Sequence, residues 1–277
     1  MKTALWILSA LAALLPIAAS AGHAGLPHYA HVVVVIEENK AFGEISGNAD
    51  APYINALASR GVLLTGYHAV AHPSLPNYLA LFAGSTGNVM DDACHYSFSS
   101  ATLYGALHAA GAGFITYAEG LPRDGYTDCG AGEYRKKHNP AAYWQPRYVP
   151  AEVTRPFSAF PVDFARLPRV AFVIPDLLND MHDGTIRMGD QWLQQNLARY
   201  ADWAEKHDSL LIVTWDEDNG SEDNRIMTLL FGAHLKPGQY PQHYDHYSLL
   251  RTLTDLFHAK PVGHAKTAAA IDGIWKS

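Results

Sequence analysis

The chain has 277 residues, a formal net charge of −7 at pH 7 and two cysteines. That length is sufficient for one large domain with a sizeable core, and no convincing domain boundary interrupts residues 22–277. The acidic balance argues against nucleic acid or an anionic membrane surface as the main partner, because both would repel it.

The N-terminus predicts export. Lys2 gives a basic start, residues 4–18 form an apolar stretch, and Ala19-Ser20-Ala21 fits a small-x-small cleavage site. We therefore expect a signal peptide over residues 1–21 and a secreted or periplasmic protein without stable membrane anchoring. The alternative is a membrane anchor, but the stretch is too short and wrongly flanked for a spanning helix.

Export would bring the two cysteines into an oxidising compartment. A disulfide between Cys94 and Cys129 is therefore expected, and two buried free thiols are the alternative. Zinc binding by this pair is not expected, because neither cysteine has a second cysteine close to it in the sequence.

Three apolar runs each end directly in acids, amides or histidine. Residues 32–36 precede Glu38 and Asn39, residues 170–174 precede Asp180, and residues 210–214 precede Asp216. Continuous apolar runs of this length indicate strands of a parallel sheet that are buried on both faces. Open α/β sheets bind ligands beyond the carboxyl ends of their strands, so the three ends are expected to converge on one metal site.

The remaining segments alternate between helical and extended patterns. The predicted helices are 51–60, 78–82, 102–110, 191–206 and 247–257, and further strands are predicted at 62–67, 113–117 and 226–231. A turn with two prolines is predicted at 72–77, and residues 119–165 indicate a long irregular excursion of the kind that is often functional. The alternation predicts an α/β fold with a mostly parallel sheet covered on both faces.

Two strand ends carry adjacent oxygen donors that suit a divalent cation. For Glu38 and Asn39, the alternative is that Asn39 caps a short helix. Asp216 and Glu217 belong to a run of three acids, which repel one another unless a cation or base compensates. Metal binding is therefore favoured at the second pair, although one acid could be an ordinary cap.

Ser74 lies between two prolines at the start of a predicted helix, where backbone amides favour an anion. A serine hydroxyl in contact with a metal at that place could attack phosphorus, and Asn77 could donate to a phosphoryl oxygen. The alternative for Ser74 is a plain helix cap. His138, His182 and His246 are candidates for the general acid, with hydrogen-bonded or exposed histidines as the alternative. Lys136 and Lys137 are interpreted as solvated charges, with phosphate clamps as the less favoured alternative.

Six blocks of the sequence together resemble the family of exported acid phosphatases and phosphatidylcholine-type phospholipases C, within the alkaline-phosphatase-like superfamily. The blocks follow the family's order and span nearly the whole chain after the predicted signal peptide. They are Val35-Ile36-Glu37-Glu38-Asn39-Lys40-Ala41-Phe42, His72-Pro73-Ser74-Leu75-Pro76-Asn77-Tyr78, Lys137-His138-Asn139-Pro140, Asn179-Asp180-Met181-His182-Asp183, Thr214-Trp215-Asp216-Glu217 and Asp245-His246-Tyr247-Ser248-Leu249-Leu250-Arg251.

The resemblance implies a three-layer α/β/α sandwich around a mostly parallel sheet. It implies Ser74 as the nucleophile that forms a phosphoseryl intermediate, and a disulfide like that of the phosphatase members. The residues implied as metal ligands are Glu38, Asn39, Ser74, Asp216 and Glu217, and those implied as active-site contributors are Asn77, His138, Asp180, His182 and His246.

Some features depart from the family's pattern. Gly184 stands where phosphatase members often carry a cysteine, so a second disulfide is not expected. The run Asp218-Asn219-Gly220 stands where many relatives turn immediately into glycine. The chain also lacks the C-terminal extensions of many phospholipases C, which favours the phosphatase branch.

The sequence is thus interpreted as a metal-dependent acid phosphatase that hydrolyses small phosphomonoesters through a phosphoserine. A phospholipase C or another phosphodiesterase with the same site is the nearest alternative, and Tyr143, Trp144 and Tyr148 could then form an apolar rim, although they could equally belong to the core. A non-catalytic metal- or anion-binding module is the alternative of another class. The donor types permit Ca²⁺, Mg²⁺, Mn²⁺, Fe or Zn²⁺, and the oligomeric state does not follow from the sequence.

Overall fold

A mixed eight-stranded sheet forms the centre of the computed structural model, which describes residues 26–276. The predicted signal peptide at 1–21 lies outside the described residues. The sheet consists of β1 (His31–Glu37), β2 (Val62–His68), β3 (Phe114–Ala118), β6 (Thr154–Pro156), β7 (Val170–Ile174), β8 (Ser209–Trp215), β9 (Thr228–Gly232) and β10 (Gly238–Asp245), while β4 (Gly130–Ala131) and β5 (Tyr134–Arg135) form a separate small hairpin.

The strand order is β10-β2-β9-β8-β1-β7-β3-β6, and β9 alone runs antiparallel to its neighbours in this sheet. The β-branched run 32–36 of β1 is fully buried between β7 and β8, as predicted. Because these three strands are parallel, their carboxyl ends lie at the same edge of the sheet. The α/β class and the mostly parallel sheet are confirmed.

The helices form two packed groups, α2 with α5 and α3 with α4 and α6, as expected for helical layers on both sides of a sheet. Their bounds are α1 (Phe42–Ile45), α2 (Pro52–Arg60), α3 (Ser74–Ala83), α4 (Leu103–Ala109), α5 (Ile186–Ala204) and α6 (His246–Leu256). None of the helices among residues 26–276 has the length and apolar character needed to cross a bilayer.

Two helix starts were predicted wrongly, and strand β10 was not predicted. Helix α3 begins at Ser74 rather than residue 78, since the first turn of a helix tolerates the proline at 76. Helix α5 begins at Ile186 rather than residue 191, because the Thr185 hydroxyl caps it by accepting the Met188 N–H at 3.2 Å. Strand β10 follows no clear apolar pattern, and most of its side chains are exposed at the sheet edge.

The excursion at 119–165, which was predicted to be irregular, contains short strands and 3₁₀ helices. It holds β4, β5, β6 and the 3₁₀ segments Lys136–His138, Pro140–Tyr143, Ala151–Val153, Phe157–Ala159 and Phe164–Arg166, the last of which ends just beyond it. The predicted disulfide between Cys94 and Cys129 is confirmed and ties this excursion to the loop after α3. Tyr143 and Trp144 are buried in the core, which is the alternative to an apolar rim, whereas Tyr148 is exposed.

Candidate active site

Glu38 is the central side chain of the site and is fully buried just beyond β1. Its Oε2 accepts hydrogen bonds from Ser74 Oγ at 3.0 Å and Asn39 Nδ2 at 2.7 Å. Its Oε1 accepts one from the Tyr78 hydroxyl at 2.7 Å, and His138 Nε2 lies 3.0 Å from the same oxygen. One carboxylate therefore connects the end of β1 with helix α3 and the 119–165 excursion.

Asn39 has a left-handed backbone with a φ of 52°, a conformation that asparagine tolerates better than most residues. Its backbone N–H donates to Asp216 Oδ1 at 3.1 Å, which joins the ends of β1 and β8. The residue that precedes helix α1 is Ala41, so the interpretation of Asn39 as a helix cap is wrong.

Asp216 and Glu217 lie beside this pair, as their place after β8 predicts. Asp216 Oδ1 also accepts the Glu217 N–H at 2.7 Å. Asp216 Oδ2 is buried and has no hydrogen-bond partner among residues 26–276. Glu217 Oε1 lies 3.2 Å from Ser74 Oγ and shares its single O–H with Glu38. An unsatisfied buried carboxylate oxygen beside these groups is a candidate ligand for a cation.

The third acid of the run has another role. Asp218 organises its own loop by accepting the backbone N–H groups of Gly220, Glu222 and Asn224 at 2.6 to 3.1 Å. Asn224 Nδ2 in turn donates to Ala71 O at 2.8 Å, close to the nucleophile candidate in the sequence. The segment 218–220, which departs from the family's pattern, therefore helps to hold the loop after β8 against the loop that precedes Ser74.

Ser74 is the first residue of α3, and only about 1 % of it is exposed. The residue at the helix cap is Pro73, and the Ser74 hydroxyl makes no capping hydrogen bond. Its Oγ contacts two carboxylates, those of Glu38 and Glu217. The alternative of a plain cap is therefore wrong, and the hydroxyl lies among the predicted metal ligands.

Asn77 shapes the loop that precedes Ser74. Its Oδ1 accepts the N–H groups of Val70 and Ala71, both at 3.0 Å. Its Nδ2 donates to Ala71 O at 2.8 Å and to Pro73 O at 3.3 Å. A contact of Asn77 with a phosphoryl oxygen stays a prediction, and it would require Nδ2 to exchange one of these carbonyl partners.

His138 is buried between two acids. Its Nδ1 lies 3.1 Å from Asp180 Oδ2, opposite the contact of Nε2 with Glu38, and its ring stacks on Tyr78. Burial is the main reason why the pKa of His138 falls to about 4, so the ring is neutral over most of the physiological pH range. The neutral ring therefore lies between the two acids, although within residues 26–276 its Nε2 makes no hydrogen bond of good geometry to Glu38.

His246 lies next to the loop that carries Asp216 and Glu217. Its Nε2 donates to Asp216 O at 2.6 Å, and its Nδ1 accepts from the Tyr67 hydroxyl at 3.2 Å. The residue is fully buried, and burial lowers its pKa to about 4. Both ring nitrogens thus contact protein groups, and the predicted role of His246 as proton donor stays a prediction.

Of the three histidines predicted for the site, His182 is the one that reaches solvent, with 31 % of its side chain exposed. Its Nδ1 donates to Asp183 Oδ1 at 2.6 Å, and its backbone N–H donates to Asp180 Oδ1 at 2.8 Å. One ligand atom each of Glu38, His138 and His182 lies within 4.8 Å of the others. This group could hold a metal ion, and it shares Glu38 with the predicted ligand set.

The electrostatics of the cluster favour a bound cation. Burial foremost, and then neighbouring acids, raise the pKa of Glu38 and Asp216 well above the usual range. The same causes raise the pKa of Glu217 to about 8. Ionising these carboxylates together is costly unless positive charge compensates. The oxygen-rich donor set and the unsatisfied Asp216 Oδ2 therefore fit a divalent cation.

Four further residues belong to the site and were absent from the predicted set. The Tyr78 hydroxyl binds Glu38, and His72 contacts Glu217 and lies 3.3 Å from Asp218 Oδ1. Asp92 and Lys137 form an ion pair of 2.9 Å at the edge of the cluster. Tyr78, His72 and Lys137 lie inside the blocks that carry the resemblance, whereas Asp92 has no comparable signal in the sequence.

The comparisons with known proteins show the family of the chain. The sequence profile of the Phosphoesterase family matches residues 47–260. The chain belongs to the phosphoesterase family and is a phosphoric ester hydrolase.

Two relatives with assigned activities illustrate the family. The chain is 46 % identical over 253 residues to a phosphatidylinositol-3-phosphatase of Mycobacterium tuberculosis, with 90 % of this chain and 84 % of the relative covered. It is 32 % identical over 219 residues to an acid phosphatase of Aspergillus fumigatus, with 72 % of this chain and 48 % of the relative covered. The chain thus spans about half the length of this fungal relative.

Solved structures support the fold. A phosphonate monoester hydrolase of Silicibacter pomeroyi superimposes with a TM-score of 0.58 at 11 % identity, covering 87 % of this chain and 75 % of the other. A protein of the alkaline phosphatase superfamily from Vibrio parahaemolyticus gives a TM-score of 0.56 at 13 % identity, covering 88 % and 72 %. The alkaline-phosphatase-like fold is therefore confirmed.

Proposed function

We propose that the protein is an exported, metal-dependent acid phosphatase that hydrolyses phosphomonoesters through a phosphoserine at Ser74. The observation that carries the proposal is the contact of Ser74 Oγ with both Glu38 and Glu217, within a buried group of acids. A serine hydroxyl shared by two buried carboxylates is an activated nucleophile rather than a surface hydroxyl. Relatives named as phosphatases support the same reaction class.

The chain's own residues suffice to describe the proton and bond changes. As the bond from Ser74 Oγ to phosphorus forms, its proton passes to the Glu38 or Glu217 carboxylate that already accepts it, and the bond to the leaving alkoxide breaks. A water molecule then attacks the phosphoserine, which releases phosphate and restores the hydroxyl. A bound divalent cation would supply positive charge for the phosphoryl oxygens and lower the pKa of the Ser74 hydroxyl.

The residues proposed to hold this cation are Glu38, Asn39, Ser74, Asp216 and Glu217, with Ca²⁺, Mg²⁺, Mn²⁺, Fe and Zn²⁺ as candidates. Asn39 would contribute its side-chain oxygen, because its nitrogen already donates to Glu38. His138 would position Glu38, and His246 would position the loop of Asp216 through its contact with Asp216 O.

We assign protonation of the leaving alkoxide to His182, since it alone of the three candidate histidines reaches solvent at the cluster. In this role Nε2 carries the proton and exchanges its contact with Lys137 Nζ for the leaving oxygen. His182→Asn is expected to lower the kcat for an alkyl phosphate by about 10²-fold or more, because the alkoxide then departs without a proton. Hydrolysis of p-nitrophenyl phosphate should suffer much less, since p-nitrophenolate is a good leaving group. The measurement is the ratio of the two kcat values. The exposed His258, replaced by Asn, serves as control, and equal losses on both substrates would exclude this role.

The substrate class is tested by a panel of esters. We expect kcat/KM for phosphomonoesters to exceed that for phosphatidylcholine and bis(p-nitrophenyl) phosphate by at least about 10²-fold, because only a monoester offers three free oxygens to the cation-binding group. A higher kcat/KM for phosphatidylcholine would instead support the phospholipase C alternative. Burial of Tyr143 and Trp144 weakens that alternative, since neither can contact a lipid surface.

A phosphorylated inositol lipid is the second candidate substrate, and the mycobacterial relative named as a phosphatidylinositol-3-phosphatase favours it. The phosphate group on the inositol ring of such a lipid is a phosphomonoester, so the same site and the same chemistry would remove it. Including phosphatidylinositol 3-phosphate in the panel, beside its soluble headgroup, separates recognition of the lipid from recognition of the phosphate.

A further inference from the structure

Lys137 is a lysine at the edge of the site, with 16 % of its side chain exposed. Its Nζ donates to Asp92 Oδ2 at 2.9 Å and to His182 Nε2 at 3.2 Å. An ammonium group has three N–H donors, so one remains for a further acceptor. The interpretation of Lys137 as a merely solvated charge is therefore wrong.

Two routes place this ammonium beside the nucleophile. Asp92 Oδ1 accepts the N–H of Leu75, the residue that directly follows Ser74, at 2.9 Å. On the other side, His182 belongs with Glu38 to the group whose ligand atoms lie within 4.8 Å, and Glu38 contacts Ser74 Oγ. Lys137 is thus connected to the Ser74 region on one side through Asp92 and the Leu75 N–H, and on the other side through His182 and Glu38.

Lys137 retains its charge although it is largely buried. Burial by itself would lower its pKa, but the carboxylates of Glu38 and Asp92 outweigh this effect and raise it. The nearby Lys40 differs, since its Nζ donates to two carbonyl oxygens, those of Asn39 and Met181. A phosphomonoester is an anion, so it needs a local cation to enter this group of acids.

We propose that Lys137 binds a phosphoryl oxygen of the substrate in front of Ser74, and that Asp92 is the positioning residue that holds it there. This inference rests on the proposed phosphatase function and names a residue pair for its substrate. An ammonium to phosphoryl contact is a charge-assisted hydrogen bond, and it acts on bound substrate, bound phosphate and transition state alike.

The surrounding chain holds the pair in place before a substrate arrives. Cys94, two residues after Asp92, is joined by the disulfide to Cys129. The Lys136 N–H donates to Cys129 O at 3.0 Å, and Lys136 Nζ donates to Cys94 O at 3.0 Å. The segments that carry Asp92 and Lys137 are therefore fastened to each other, which favours preorganised binding.

The test compares variants of the metal-loaded full chain. Lys137→Met is expected to raise the KM for p-nitrophenyl phosphate and the inhibition constant of inorganic phosphate together, by about tenfold or more. The kcat should change less, because the contact exists in the ground state as well. Lys137→Arg keeps the charge and should recover most of the phosphate affinity.

Asp92→Asn is expected to raise both constants severalfold, since Lys137 loses its partner. The same substitution in the Lys137→Met background should have almost no effect, because Asp92 acts through Lys137. Asp91→Asn is the matched control. It removes the same charge from the same loop, but within residues 26–276 the Asp91 carboxylate accepts hydrogen bonds only from Ala93 N and the Tyr96 hydroxyl.

The outcomes separate the inference from the function on which it rests. An inactive wild-type protein with bound metal would reject the proposed function. An active wild type whose Lys137→Met variant keeps the same KM and phosphate inhibition constant would overturn the inference, as would additive losses in the double variant. If Lys137→Met does not fold by circular dichroism, the Lys137→Arg and Asp92→Asn constants decide. Asp92→Asn values equal to wild type would then overturn it.

Discussion

Replacing Ser74 by alanine is expected to lower the turnover of p-nitrophenyl phosphate by at least about 10⁴-fold. The hydroxyl is the atom that would bond to phosphorus, and it lies in hydrogen-bond contact with Glu38 and Glu217. No neighbouring hydroxyl takes its place there, since the Tyr78 hydroxyl is directed at Glu38 and burial raises its pKa well above the usual range. The measurement is kcat with wild-type levels of bound metal.

A matched control distinguishes loss of the nucleophile from loss of the fold. Ser59 is exposed on α2, and its hydroxyl donates only to Ala56 O at 2.9 Å. Ser59→Ala should keep wild-type turnover, and both alanine variants should unfold at similar temperatures. Near-wild-type hydrolysis by Ser74→Ala would reject the assignment of this residue as nucleophile.

Removing the metal is expected to abolish activity, and replacing Asp216 by asparagine should lower it by more than about 10²-fold. Asparagine can still accept the N–H groups of Asn39 and Glu217, but it lacks the charge that the unsatisfied Oδ2 carries. The measurements are the bound metal per chain and kcat after dialysis against a chelator, followed by addition of each candidate ion.

Thermal unfolding gives a second measure of the same site. The right ion should raise the unfolding temperature of the wild type, because it binds the folded state and relieves repulsion among buried acids, and it should raise that of Asp216→Asn much less. Glu205→Gln, which alters an exposed acid paired with Arg60, should respond like the wild type. Full activity of a protein shown to be metal-free would contradict this part of the account.

The sequence predicted the central residues of the site because the apolar pattern of each strand can be read from its own residues. Runs 32–36 and 170–174 are apolar at every position, and run 210–214 is apolar except at Thr214, which indicates strands that are buried on both faces beside parallel neighbours. Once the strands are parallel, their ends share one edge, and Glu38, Asp180 and Asp216 follow at that edge. The convergence of these side chains thus needed no knowledge of the loops.

Features that depend on loop geometry could not be predicted in this way. Asp92 lies in an irregular segment, and only the disulfide and the Leu75 N–H bring it to the site. The direction of His246 depends on the packing of Tyr67 against α6, so its involvement with Asp216 O has no sequence signature. The antiparallel direction of β9 likewise follows from a chain reversal after Asp218 that an apolar run at 226–231 does not reveal.

The most direct measurement of the central claim is the site of phosphoryl attachment during turnover. The metal-loaded protein would be mixed with a ³²P-labelled monoester, quenched in acid within one turnover, digested and analysed by mass spectrometry. The account predicts that the label and an added phosphate appear on the peptide carrying Ser74 and disappear when excess unlabelled substrate is chased through. Label on a histidine, or active turnover without any labelled peptide in an acid- and base-quenched pair, would contradict it.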